Sequence, residues 1–101
     1  MYMIRGTWRA QRGKAPAIIE ALKMVNQAIT AQGGFSNGKI YADMSGPFDT
    51  VVWQFEAESL DRFYQAERGV FVNPDVATQR LIDTLNGSTV EGQREIYEVI
   101  V

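Results

Sequence analysis

The chain contains no cysteine and no histidine. Without a thiol there is no disulfide, no thiolate nucleophile and no zinc-thiolate site, and without an imidazole the commonest acid-base group and metal ligand is missing too. Ser-His-Asp and Cys-His machinery, facial-triad iron, His-ligated haem and ordinary catalytic zinc are therefore excluded unless a partner supplies the missing group. Oxygen-ligand metals stay open, but Glu91, Glu95 and Glu98 have no spacing that builds such a site. No metal and no cofactor is expected. No apolar run approaches the length of a membrane span. The opening MYMIRGTWRA, with Arg5 and Arg9 in it, lacks an apolar stretch followed by a small-residue cleavage site. The cytoplasm is the expected location. Positive charge is also scarce, since a net charge of -2 and a pI of about 5.0 supply no field for nucleic acid or an anionic membrane. Neither is an expected partner.

What is present is globular. Apolar residues at 46% and charged residues at 22% of 101 positions suit one packed domain spanning 1–101. So short a chain buries only roughly 60 to 70% of its unfolded surface, and pairing with a second copy would widen its stability margin.

Residues 2–8 alternate, with Tyr2, Ile4 and Trp8 on one face and Met3, Arg5, Thr7 and Arg9 on the other, which predicts a half-buried strand. Gly13 marks a turn. Pro16 suits a first-turn position, and Ile18, Leu22, Val25 and Ile29 repeat at helical spacing, so a helix is expected from about Lys14 to Gln32, ending at Gly33-Gly34. Ser36-Asn37-Gly38 reads as a turn and 39–44 as a second strand. A hairpin through Gly46-Pro47 leads to a third strand over 50–56, dense in β-branched and aromatic residues. Ser59 caps a helix with Leu60, Phe63, Tyr64 and Glu67 on one side, expected to break near Gly69. Asn73-Pro74-Asp75 opens another, with Pro74 at its first position and Gly87 as its end; 93–101 alternates as the last strand.

The order β, α, β, β, α with an extra α, β is the split βαβ pattern of an α+β fold. Right-handed crossovers place both main helices on one face of a four-stranded antiparallel sheet. The opposite face, with Met3, Val52, Tyr97 and Val99, is too apolar for a wholly wetted surface, and the economical cover is the same face of a second copy. Arg5 or Arg9 with Glu56 is an available ion pair within it.

The turn Gln11-Arg12-Gly13-Lys14, the hairpin Gly46-Pro47-Phe48-Asp49-Thr50-Val51-Val52, and Glu58-Ser59-Leu60 with Arg62 beyond it resemble the NIPSNAP-like branch of the dimeric α+β barrel superfamily. The sequence departs from that branch in having Phe55 where a tryptophan is common, with Trp53 two residues earlier. The resemblance implies two ferredoxin-like subunits whose sheets face each other. Members include small monooxygenases, muconolactone isomerases, haem-degrading enzymes and many proteins of unknown role.

Between sheet and helices, Trp8, Tyr41, Trp53, Phe63, Tyr64 and Phe71 can wall a cleft for a flat apolar ligand, or simply be core. Ligand binding is assigned to Trp8, Tyr41, Trp53 and Tyr64. Arg5 and Arg9 can stabilise a phenolate or enolate, or be spent in ion pairs. Asp43 and Glu56 can act as general bases if buried, or be surface carboxylates. Two functions follow: a NIPSNAP-like dimeric barrel protein that binds a small apolar or aromatic molecule, or a cofactor-independent monooxygenase or isomerase acting on a small phenol, quinol or lactone.

Overall fold

A computed structural model describes residues 1–46 and 48–101, so Pro47 of the predicted hairpin lies outside the described residues. The element order is β1 (Tyr2–Ala10), α1 (Ala15–Ala31), β2 (Phe35–Ala42), β3 (Thr50–Ala57), α2 (Leu60–Phe71), α3 (Val76–Ser88) and β4 (Thr89–Glu98). The strands form one sheet in the order β2-β3-β1-β4, with every neighbouring pair antiparallel. This is the ferredoxin-like α+β arrangement expected from the element order.

The stripe on α1 does what its period requires. Ile18, Leu22, Val25 and Ile29 are buried in one cluster with Ile4, Val51, Trp53 and Phe55 of the sheet, and Leu81 and Leu85 of α3 pack on the same cluster. On β3 burial alternates residue by residue, so Val51, Trp53 and Phe55 face the helices while Val52, Gln54 and Glu56 face away. Pairing carries that division across the sheet: Thr7 lies opposite Val52, and Tyr41 also lies opposite Val52.

Two segments singled out in the sequence meet here. The Gly13 amide donates to Asp49 Oδ2 at 3.2 Å, tying the first turn to the β2-β3 hairpin. Arg62 Nη2 donates to the Gln32 and Gly33 carbonyls, anchoring the start of α2 on the C-terminus of α1, where the helix dipole favours a cation. Ser59 caps α2 by accepting from the Arg62 amide at 3.1 Å.

Several boundaries differ from the sequence expectation, each for a local reason. β2 begins at Phe35, because Ser36-Asn37-Gly38 forms a bulge within the strand. Asn37 adopts φ 54°, and Asn37 and Gly38 together stand between the pairs Ser36-Glu56 and Lys39-Gln54. α2 passes through Gly69 to Phe71, and α3 passes through Gly87 to Ser88. A Cβ at either glycine would meet nothing within 4 Å, and each costs its helix only about 1 kcal/mol in propensity. Pro74 precedes the α3 cap instead of opening the helix. β4 starts at Thr89 and stops at Glu98, matching β1 from Tyr2 to Ala10, with one further backbone bond from the Val99 amide to the Met1 carbonyl. Ile100 and Val101 are left exposed.

Asp75 caps α3, its carboxylate accepting from the Thr78 amide at 2.7 Å. That bond, with a second from the Thr78 side chain, holds the carboxyl below the ordinary aspartate value. A depressed folded-state value means that the cap contributes fully above the unfolded value of about 4 and is lost as pH falls through the folded one. Helical circular dichroism is expected to decline in part across that acid window. Asp75→Asn, which caps without titrating, is expected to flatten this part of the profile, and an unchanged profile would remove Asp75 from the account.

Candidate functional site

A cavity of about 350 Å³ opens between the sheet and the helices. Its floor comes from Ile4, Trp8, Trp53 and Phe55 on β1 and β3, and its other walls from Val25 and Ile29 of α1 and Phe63, Val70 and Phe71 of α2. Such a volume, with aromatic walls, falls in the range of small-molecule sites.

The aromatic wall is held from behind. Trp8 and Trp53 stack with centroids 6.3 Å apart, and Trp53, Phe55 and Phe63 continue as a chain of tilted rings at 4.8 and 5.8 Å. Trp53 Nε1 donates to Asn26 Oδ1 of α1 at 2.9 Å, which fixes the indole. That approach depends on Gly38, where an added Cβ would lie 2.0 Å from the same oxygen. Trp8 depends on Gly6, since a Cβ there would lie 2.5 Å from the indole Cη2. The ring lies back over its own strand.

Of the residues expected to wall the cleft, Trp8, Trp53, Phe63 and Phe71 do so. Tyr64 packs on Phe63 at 5.3 Å but is 40% exposed and stands outside the cavity wall. Tyr41 is on the wrong face for this role. It pairs with Val52, and its hydroxyl accepts a long hydrogen bond from Gln54 on the open side of the sheet. Aromatic type suggested the cleft; strand phase against β3 puts Tyr41 opposite.

The expected acid-base and anion-binding groups do not converge on the cavity either. Arg5 is on the open face, bonded to Gln54 Oε1 at 3.3 Å, with its guanidinium 6.0 Å from the Tyr97 ring centre. Arg9 pairs with Glu91, its register partner on β4, at 3.6 Å, and among the described residues of the one chain neither arginine pairs with Glu56. Glu56 instead accepts from Asn37 Nδ2 at 2.8 Å, a bond that the bulge makes possible. Asp43 is exposed in the hairpin, where the Ser45 and Gly46 amides bond its carboxylate and hold it below the usual aspartate value. On the open face the Tyr97 hydroxyl donates to Glu95, which raises its pKa. A second, more polar hollow of about 330 Å³ lies there, lined by Met3, Lys39, Tyr41 and Glu56.

Sequence reading missed the pair that does reach the cavity. Glu67 lies one turn beyond Phe63 on α2, and Arg94 lies opposite Gly6 on β4; their side chains meet at 2.7 Å. The Arg94 guanidinium carbon is 5.3 Å from the Phe63 ring centre, where cation and π face attract. Phase contained the signal. Glu67 shares its helix face with Phe63, and Arg94 shares its strand face with Ile96.

Among the described residues no group of three or more acidic side chains gathers to hold a metal ion, and no helix is long and apolar enough to cross a membrane.

No family model and no curated protein matches the sequence. Solved structures do match. An uncharacterised NIPSNAP domain protein from Burkholderia xenovorans superposes with a TM-score of 0.77 at 14% identity, over 100% of this chain and 96% of the other. A NIPSNAP family protein from Agrobacterium tumefaciens gives 0.74 at 18%, over 96% and 90%. The likeness is one of fold. A Nitrosomonas europaea protein provisionally assigned as an antibiotic biosynthesis monooxygenase gives 0.80 at 16%, over 100% of both chains. NIPSNAP domain proteins and monooxygenase-type proteins are thus its structural neighbours, and the resemblance read from the turn, hairpin and Ser59 segments is matched at the level of architecture.

Proposed function

We propose that the chain binds a small, flat, largely apolar molecule in the cavity between sheet and helices. The observation that carries this reading is the cavity itself: about 350 Å³, walled by rings already held by stacking and by the Asn26 bond, with one charged pair at its margin. A wall ordered in advance lowers the entropic cost of binding. Both tryptophans of the sequence lie in that wall. Titration with phenols, quinols and unsaturated lactones is expected to shift or quench tryptophan emission saturably. A flat response to all three classes would overturn the proposal.

A second reading is favoured by Arg94 and by the monooxygenase assignment of the Nitrosomonas europaea neighbour. Here an electron-rich phenol loses its proton beside Glu67, and Arg94 stabilises the phenolate. Dioxygen then attacks the ring. One oxygen atom enters the product quinone and the other leaves as water, with the phenol supplying all four electrons, so no cofactor is consumed. Oxygen uptake with phenols alone, weakened by Arg94→Leu, would support turnover; saturable binding without uptake would leave a binding protein.

As part of the same proposal, two copies pair through their open sheet faces. Support comes from the composition of that face: Met3, Val52 and Tyr97 stand on it beside Arg5, Gln54 and Glu56.

A further inference from the structure

The cavity wall carries two charges among the described residues, and they neutralise each other. Glu67 Oε2 meets Arg94 Nη2 at 2.7 Å, with 28% of the glutamate side chain and 47% of the arginine side chain exposed. An unpartnered arginine beside an apolar cavity would select a carboxylate, because its fork of N–H donors fits two carboxylate oxygens at once. Here Glu67 occupies the arginine. An incoming carboxylate must either displace Glu67, leaving it without its partner, or bring a second negative charge against it. A hydroxyl meets no such conflict. It donates to Glu67, accepts from another Arg94 N–H, and leaves the ion pair standing.

Resting on the proposal that this cavity is a binding site, we infer that it takes neutral ligands bearing a hydroxyl and rejects carboxylates, and that Glu67 sets this preference by occupying Arg94. A phenol fits the requirement, since like tyrosine it keeps its proton to about pH 10. Glu67 is a specificity residue acting through a neighbour, so its removal should change which ligand is preferred, beyond any change in affinity.

The test uses the intact chain and three probes that share one ring system: naphthalene, 2-naphthol and 2-naphthoate, titrated by calorimetry at neutral pH. The hydroxyl compound is expected to bind about tenfold or more tightly than the carboxylate, the scale of one hydrogen bond to a charged group. Glu67→Gln is expected to reverse that order by freeing Arg94, and Glu67→Asp to keep the original order. Carboxylate binding equal to or tighter than hydroxyl binding in the unaltered chain, or an order unmoved in a folded Glu67→Gln variant, would overturn the inference while leaving the cavity a binding site. No binding of any probe, bare naphthalene included, would overturn both. The comparison within the unaltered chain decides the matter even if the variant fails to fold.

Discussion

Phe55→Ala is expected to lower the free energy of unfolding by about 3 to 5 kcal/mol, the usual cost of emptying a buried aromatic site. Phe55 is 4% exposed and its ring meets those of Phe35, Trp53 and Phe63 at 5.9, 4.8 and 5.8 Å. It therefore joins β3 to the first residue of β2 and to α2. The joint matters most for α2, whose buried residues are Phe63 and Ala66. A domain of this size has about 5 to 15 kcal/mol in total, so the variant would lose a large share of its margin. Urea denaturation should show a lower midpoint at an unchanged slope. An unmoved midpoint would mean that the aromatic chain does not hold the helix to the sheet.

Val52→Asp is expected to convert the proposed dimer to monomer. By two-fold symmetry each interface receives the new carboxylate from both copies, against a face that already carries Glu56, and a dissociation constant raised roughly a hundredfold or more follows from two unpaired buried charges. Val52 points away from the helices, so the isolated subunit keeps its core and stays folded. Light scattering after size exclusion, with circular dichroism on the same samples, separates the two effects. An unaltered chain that is monomeric at micromolar concentration, or a variant that remains dimeric, would dismiss the facing-sheet arrangement.

The parts of this architecture legible in the sequence are those whose phase is set within one element. The α1 stripe from Ile18 to Ile29 and the alternation of Val51, Trp53 and Phe55 need no knowledge of neighbours. β2 was harder to read because Ser36-Asn37-Gly38 is equally good chemistry for a turn and for a bulge, and only Phe35 seated against Phe55 decides between them. The limits of β4 depend on where β1 ends, which β4's own residues do not encode. At the site, Trp8 and Trp53 were legible as aromatics on the inner phase of their strands. Tyr41 suits the cleft by aromatic character alone, while its phase puts it on the other face with Val52. Glu67 and Arg94 are hard to read for the converse reason: charged side chains are ordinarily solvated, although both stand at inward positions on α2 and β4.

The indole of Trp8 lies back across Gly6, so part of the room in the cavity is set by a side chain that is not there. Any larger residue at position 6 must push the ring away from its strand, and the cavity that Trp8 borders is the space beside it. Position 6 is therefore a gauge for the room between sheet and helices. A single substitution there would narrow that space and, because Trp8 pairs with Val51 and stacks on Trp53, would load the core at the same time. Cavity and core share one address in this chain: Ile4, Val25, Trp53 and Phe55 line the one and belong to the other, so neither drifts alone.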